Sequence, residues 1–171
     1  MKKLFTTILF LLPIVGGFAQ TEFMKDFVGP FSRNQSQIAA LGGAIPTEKY
    51  SWSPDEGVRS VAEVMTHVAS ANYFFMQSMG FALPEGVDLG KINSMTNKDE
   101  LLAVVNASFE FVKEKANTLT DANMAEVVEL PFGKFSKRTL LFILLDHSGE
   151  HKGQLIAYAR SNKITPPWSE K

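Results

Sequence analysis

His147 and His151 lie four residues apart in the stretch Asp146-His147-Ser148-Gly149-Glu150-His151-Lys152-Gly153-Gln154. On an α-helix that spacing puts both imidazoles on one face, one turn apart, where two neutral rings can reach a single metal ion. The preceding run Leu140-Leu141-Phe142-Ile143-Leu144-Leu145 is apolar on every side, which places this helix centrally in a core. A ring buried there without a partner loses its hydrogen bonds to water, so both histidines need something to bind. The chain has one further histidine, His67, in a separate helical stretch. On its own, a helical His-x-x-x-His pair is more often a pair of satisfied core or surface histidines than a metal site. The third ring favours the metal, because three nitrogen ligands with an open position form the arrangement of catalytic zinc sites. Zinc is the default divalent ion for His67, His147 and His151, and nickel, iron or manganese also accept imidazole. No glutamate follows His147, so the His-Glu-x-x-His metalloprotease pattern is excluded.

Around these rings the polar residues have several readings. Asp146, Glu150 and Gln154 share one helical face beside the histidines. Asp146 and Glu150 are therefore candidates to accept the other ring N–H of a ligating histidine, or else form a solvated strip at the bundle edge. Glu63, one turn before His67, is better explained by helix capping than by ligation. An open coordination position would hold water of lowered pKa, or a substrate thiolate or oxygen. No general base is evident.

Four helices are expected to position the site. The first spans roughly residues 23–44, with Phe23, Phe27, Phe31, Ile38 and Leu41 near helical spacing. Pro30 either kinks it or marks its true start, with Gly29 as cap. Residues 47–59 form a connecting loop anchored by Trp52 and Pro54. The second helix opens with a capping box, Ser60-x-x-Glu63, and carries His67 on a stretch whose apolar face runs from Val61 to Met79. Residues 81–96 are long for a bundle connection, which suits a crossover between helices that are not antiparallel neighbours, or a lid over a pocket. The third helix begins at Asn97, with Glu100 three residues on, and is clearly amphipathic through Leu119. In residues 120–135, Pro131 and Gly133 argue for a turn or short hairpin. Ser136 is positioned to cap the fourth helix.

The first twenty residues follow other rules. Lys2-Lys3, an apolar run over residues 4–15, then Gly17 and Ala19 at the −3 and −1 positions predict a signal peptide spanning residues 1–19 and a mature domain of residues 20–171. The run is shorter than the ~20 residues a spanning helix needs. The whole chain has 17 basic and 18 acidic residues; losing Lys2 and Lys3 leaves 15 against 18, a net of −3. Nothing in this balance points to nucleic acid or to a membrane surface after cleavage. The chain has no cysteine, so neither a disulfide nor a cleavage-site lipid anchor is available. The expectation is an exported protein, periplasmic or extracellular, with a homodimer left open. Its 14 phenylalanines read first as core, and secondarily as a ligand pocket.

Two blocks of this chain resemble the DinB-like superfamily. His147-x-x-x-His151-x-Gly153-Gln154 with Tyr158, Arg160 and Pro166-Pro167 is similar to its last helix. Trp52-Ser53-Pro54, then Gly57 through Glu63 and His67, are similar to its second helix and the loop before it. The resemblance extends over residues 23–167. It implies an all-α four-helix bundle with a long connection between the second and third helices, binding a divalent metal through three histidines. Many members carry only the description of metal-dependent hydrolase, while relatives act as thiol-dependent transferases or isomerases. Three functions follow: a hydrolase of an unknown small molecule using metal-bound water, a thiol-dependent transferase or isomerase, or a non-catalytic metal-binding or stress-related protein. Export counts against the second, since low-molecular-weight thiols are mainly intracellular.

Overall fold

The structure, a computed structural model, describes residues 22–169. The expected signal peptide lies outside the described residues. Four long helices form the body: α1 (Glu22–Ala44), α2 (Val61–Ser78), α4 (Lys98–Ala116) and α6 (Lys137–Ser161). Two short helices, α3 (Leu89–Asn93) and α5 (Asp121–Ala125), and a hairpin of β1 (Val127–Leu130) and β2 (Gly133–Ser136) fill the connections. No helix among the described residues is long and apolar enough to cross a membrane.

α1 packs on α4 and α6, and α2 packs on the same two helices. The helices therefore run around the bundle in the order α1, α4, α2, α6, with α1 diagonal to α2. α2 and α4 run the same way, since Met65 and Leu102 both lie near Gly42 while Tyr73 meets Phe111. The long connection is therefore the expected crossover between helices that are not antiparallel neighbours. The long connection after α2 joins neighbours, and the diagonal steps are α1 to α2 and α4 to α6. The length of residues 79–97 is taken up by α3, which docks on α2 through buried Ile92 and a Ser70 to Asn93 hydrogen bond of 2.7 Å. Asp88 caps α3, accepting from the amides of Gly90 and Lys91.

Apolar residues at helical spacing meet along the bundle axis. Phe27, Phe31, Ile38 and Leu41 of α1 are buried, and the Phe31 ring lies 4.6 Å from that of Phe109 on α4. Burying a side chain of this size contributes about 1.5–3 kcal/mol. Such packing holds α1 in one continuous helix through Pro30, although that residue lacks an amide to donate. Pro30 and Asp26 face solvent, where water can serve the carbonyl left without a partner. The run before His147 is less uniformly buried than expected. Leu140, Leu141 and Leu144 are in the core, while Phe142 is exposed and meets Phe23 edge-on at 5.1 Å.

The loop between α1 and α2 is held by Tyr50. Its hydroxyl donates to the Gly42 carbonyl at 2.8 Å, and burial, aided by the charge of Asp99, pushes its pKa up to about 12. The carbonyls of Tyr50 and Trp52 accept from the amides of Ala62 and Val61, two donors a helix start leaves without intrahelical partners. Trp52 packs edge-on against Tyr158. Pro54, expected as a second anchor, is exposed. The Ser60–Glu63 box is complete: Glu63 N donates to Ser60 Oγ, and Ser60 N donates to Glu63 Oε2 at 2.7 Å. Glu63 thus spends its carboxylate on the cap, and those bonds hold its pKa below the usual range. Asn97 and Ser136 cap α4 and α6 as expected. In the hairpin Leu130 pairs with Gly133 across Pro131 and Phe132.

Replacing Ser60 with Ala removes the acceptor at the start of the helix that carries His67. Loss of about 1 kcal/mol of stability is expected. Urea denaturation should show a lower midpoint at unchanged slope; an unmoved midpoint would mean that the loop carbonyls alone hold this end.

Candidate metal centre

His67 sits at the end of the second turn of α2, on the side that packs against α6. His147 and His151 project from α6 one turn apart, and the packing of the two helices brings all three rings together. His147 Nε2 is 2.9 Å from His67 Nε2 and 3.1 Å from His151 Nε2. The ring centroids lie 4.4–4.8 Å apart. His151 is the most enclosed, at 5% exposure, while His67 and His147 are half-buried at the edge of a cavity.

The protonation pattern follows from a chain of hydrogen bonds that starts at a carbonyl. Arg59 O can only accept, so Tyr158 Oη donates to it at 2.9 Å. Tyr158 Oη then accepts from Gln154 Nε2 at 2.7 Å. That orients the amide so that Gln154 Oε1, an acceptor, faces His151 Nδ1 at 2.8 Å. His151 must donate from Nδ1, and in the neutral ring this leaves the Nε2 lone pair directed at the other two histidines.

His147 Nε2 lies within hydrogen-bond reach of two ring nitrogens but has a single proton or a single lone pair to offer. Its Nδ1 is buried with no partner among the described residues. Burial pushes the His147 pKa down to about 3, with the nearby charges of His151, His67 and Arg59 adding to it. His67 is pushed down to about 4, again mainly by burial, then by Arg59 and His151. A cation that accepts three lone pairs fits this set of donors. Bonds of ~2.0–2.1 Å at a tetrahedral ion would set neighbouring nitrogens ~3.3 Å apart, close to the separations found. Among the described residues this is the one cluster of histidines and carboxylates suited to an ion, and it leaves a coordination position open.

Of the two readings of Asp146 and Glu150, ring partners or a solvated strip, the structure matches the strip. Both are exposed, and the hydrogen bonds of the three rings go to one another and to Gln154. Three or four residues along a helix keep one face, yet only Gln154 of that polar strip turns inward. The sequence signal for it was the His151, Gln154, Tyr158 spacing of three and then four. On the far side of α6, Ser148 is buried against Asn34 at 2.8 Å, which fixes the helix rotation that aims the histidines at α2.

A cavity of about 470 Å³ opens against His67 and His147, bounded by α2 and α3. A larger one, about 540 Å³, is bordered by the α1–α2 loop and the end of α3 and contains none of the histidines. The histidines therefore open onto the smaller.

Residues 31–155 match the family described as the DinB superfamily. No curated protein matches the chain significantly in sequence. Among solved structures, a DinB-like protein from Bacillus cereus superposes with a TM-score of 0.70 at 17% identity, covering 86% of this chain and 97% of its own. The DinB-like protein YjoA from Bacillus subtilis gives 0.64 at 20% identity, over 82% and 94% of the two chains. YfiT from Bacillus subtilis, described as a probable metal-dependent hydrolase with an unusual four-helix bundle topology, gives 0.66 at 14% identity, over 83% and 89%. At these identities the likeness is one of fold.

Two outcomes test the state of the rings. First, the unfolded chain takes up protons on His67 and His147 near pH 6.5, whereas the folded rings resist until about 4 and about 3. Stability is therefore full above 6.5 and falls as pH drops from there towards 4. Glu63, Glu110 and Glu126, whose pKa values are lowered from 4.5, add their loss only below that value. Melting of the chelator-treated protein should decline between pH 6.5 and 4.5, and H67A should flatten the decline. Second, nitrogen NMR of the neutral His151 ring should report a proton on Nδ1. Q154L should lose that preference and bind metal about 10–100-fold more weakly, while Q154E keeps it.

Proposed function

The chain belongs to the DinB superfamily, and on that footing we propose that it is a metal-dependent hydrolase whose His67, His147 and His151 hold one divalent ion, zinc by preference. The observation that carries this reading is the convergence of three Nε2 atoms, one with its lone pair set by Gln154 and Tyr158. A divalent ion there supplies Lewis acidity and lowers the pKa of water from ~15.7 towards ~7.

The chain's own residues do the rest. Burial keeps His67 and His147 neutral, the state a ligand must have. Gln154 holds the His151 ring in one orientation and one tautomer. The cavity against His67 and His147 gives a small substrate a place beside the three nitrogens. In the reaction, the water oxygen bonds to the electrophilic carbon of the substrate. The bond from that carbon to the leaving group breaks, and the leaving group takes a proton from the water. No carboxylate lines the cavity among the described residues, so this reading assigns no side-chain base.

We place the reaction outside the cytoplasm, on the strength of the basic start, apolar run and small residues of the first 19 positions. An intact mass for exported material beginning at Gln20 supports that placing, and a full-length cytoplasmic species overturns it.

The metal reading is tested by metal content and melting temperature of the parent and of H67A, H147A and H151A, with and without chelator. The parent should hold one ion per chain. A free concentration about a hundredfold above the dissociation constant should add about 2.7 kcal/mol of stability. Each substitution should remove most of both. Full metal content in H67A would mean that the α6 pair binds without α2.

A further inference from the structure

The cavity beside the three histidines has a composition that narrows what it can hold. Its volume, about 470 Å³, is within the ~300–1,000 Å³ typical of small-ligand sites. Apart from His67 and His147, its walls are Ala71, Phe74, Phe75 and Leu89, with Ser70 and Asn93 as the polar members. No charged side chain lines it among the described residues.

Aromatic surface continues outward from this wall. The rings of Phe74 and Phe75 meet at 5.4 Å, and Phe132, at the tip of the β1–β2 hairpin, meets Phe75 edge-on at 6.4 Å. Phe132 is 60% exposed and Phe74 36%. Large aromatic side chains contiguous with a cavity and left in water gain by being covered with apolar surface. An anionic or cationic body there would lose hydration against the rings with no countercharge on the wall.

One polar group at the rim of the cavity has a donor that its hydrogen bond to Ser70 does not use. Ser70 Oγ donates to Asn93 Oδ1 at 2.7 Å, and its hydroxyl is the donor because the acceptor is an amide oxygen. This turns the Asn93 amide so that Nδ2 is left to donate, which suits a neutral oxygen such as an acyl carbonyl.

We propose that this cavity takes an uncharged carboxylic acid derivative, an ester or amide, with an aryl or branched-alkyl body. The body lies against Phe74, Phe75 and Leu89 under Phe132, and a substrate oxygen accepts from Asn93. The proposal rests on the metal reading for the reaction but not for the shape and charge of the ligand.

The experiment uses three hydroxamates that share one metal-binding head: acetohydroxamate, benzohydroxamate and 4-carboxybenzohydroxamate. Their affinities are measured by calorimetry on the zinc-loaded and the chelator-treated full chain. Benzohydroxamate should bind about tenfold or more tighter than acetohydroxamate, from the apolar area of one ring. The carboxylated probe should lose most of that gain. In F132S and F74S, both at exposed positions that leave the core intact, the ring's advantage should shrink several-fold while acetohydroxamate is unchanged. Affinities that depend on zinc but are equal for the three probes overturn the proposal and leave the metal site standing. The predicted order without zinc dependence overturns the metal site and leaves the proposal standing. A preference for the carboxylated probe, or no binding of benzohydroxamate in either state, overturns the proposal.

Discussion

The contact between α2 and α6 is the one on which the site depends. It places His67 within 2.9 Å of His147, across the seam of a bundle whose other contacts are largely apolar. Three imidazoles in such a seam are a liability for a protein without a ligand. Their nitrogens face one another at hydrogen-bond distance, yet the ring protons cannot satisfy every contact. Burial makes a positive charge on them unfavourable, which is why His67 and His147 titrate so far below their usual range. The same features that burden the fold, neutrality and bared lone pairs, are the requirements of a metal ligand.

Helix order serves this contact. With α1 and α2 on opposite corners, α6 sits between them and is gripped from both sides. On one side Asn34 of α1 donates to the Leu145 carbonyl and to Ser148 Oγ, and Lys152 reaches back to Asn34 Oδ1 at 2.7 Å. On the other, α2 presents His67. The α1–α2 loop closes the arrangement, because it carries the Arg59 carbonyl from which the hydrogen-bond chain to His151 begins. Trp52, packed on the Tyr158 ring, holds that loop against α6. A loop residue thus sets the tautomer of a histidine on the last helix. Such coupling is worth little in water and much more in a shielded interior, where an unmatched donor or acceptor has no substitute partner.

The two faces of the site differ in kind. On one side, Gln154 and Tyr158 form a neutral polar path that ends at the Arg59 carbonyl. Towards the surface, the wall is phenylalanine, leucine and alanine, supplied by α2 and by the short helix α3 that the long connection places there. Neither face carries a carboxylate. Any charge balance for a bound cation must come from solvent or from an atom at the open position, while the apolar wall suits an uncharged body.

Local structure was largely legible in the sequence, because capping and periodicity are properties of neighbouring residues. Ser60 with Glu63, Asn97 and Ser136 open their helices as their types require, and Pro131 and Gly133 mark a hairpin turn. The four-residue spacing of His147 and His151, with a single further histidine, was enough to nominate three residues, and their convergence is a matter of one helix packing. Other features were decided by tertiary structure alone. Loop length suggested a crossover after the second long helix, and only packing decides that it joins α2 and α4 as parallel neighbours, with α3 absorbing the chain and burying Ile92. Asp146, Glu150 and Gln154 look equivalent along one strip. Only the rotation of α6, set by Asn34 against Ser148 and by the core residues Leu144 and Leu155, decides that Gln154 meets a ring while the carboxylates stay in water. Tyr50 rather than Pro54 anchors the loop for the same reason: a buried hydroxyl needs the Gly42 carbonyl, and nothing local in the sequence says which carbonyl will be near. Periodicity tells a residue which side of its own helix it occupies. What lies opposite is fixed only when the helices pack.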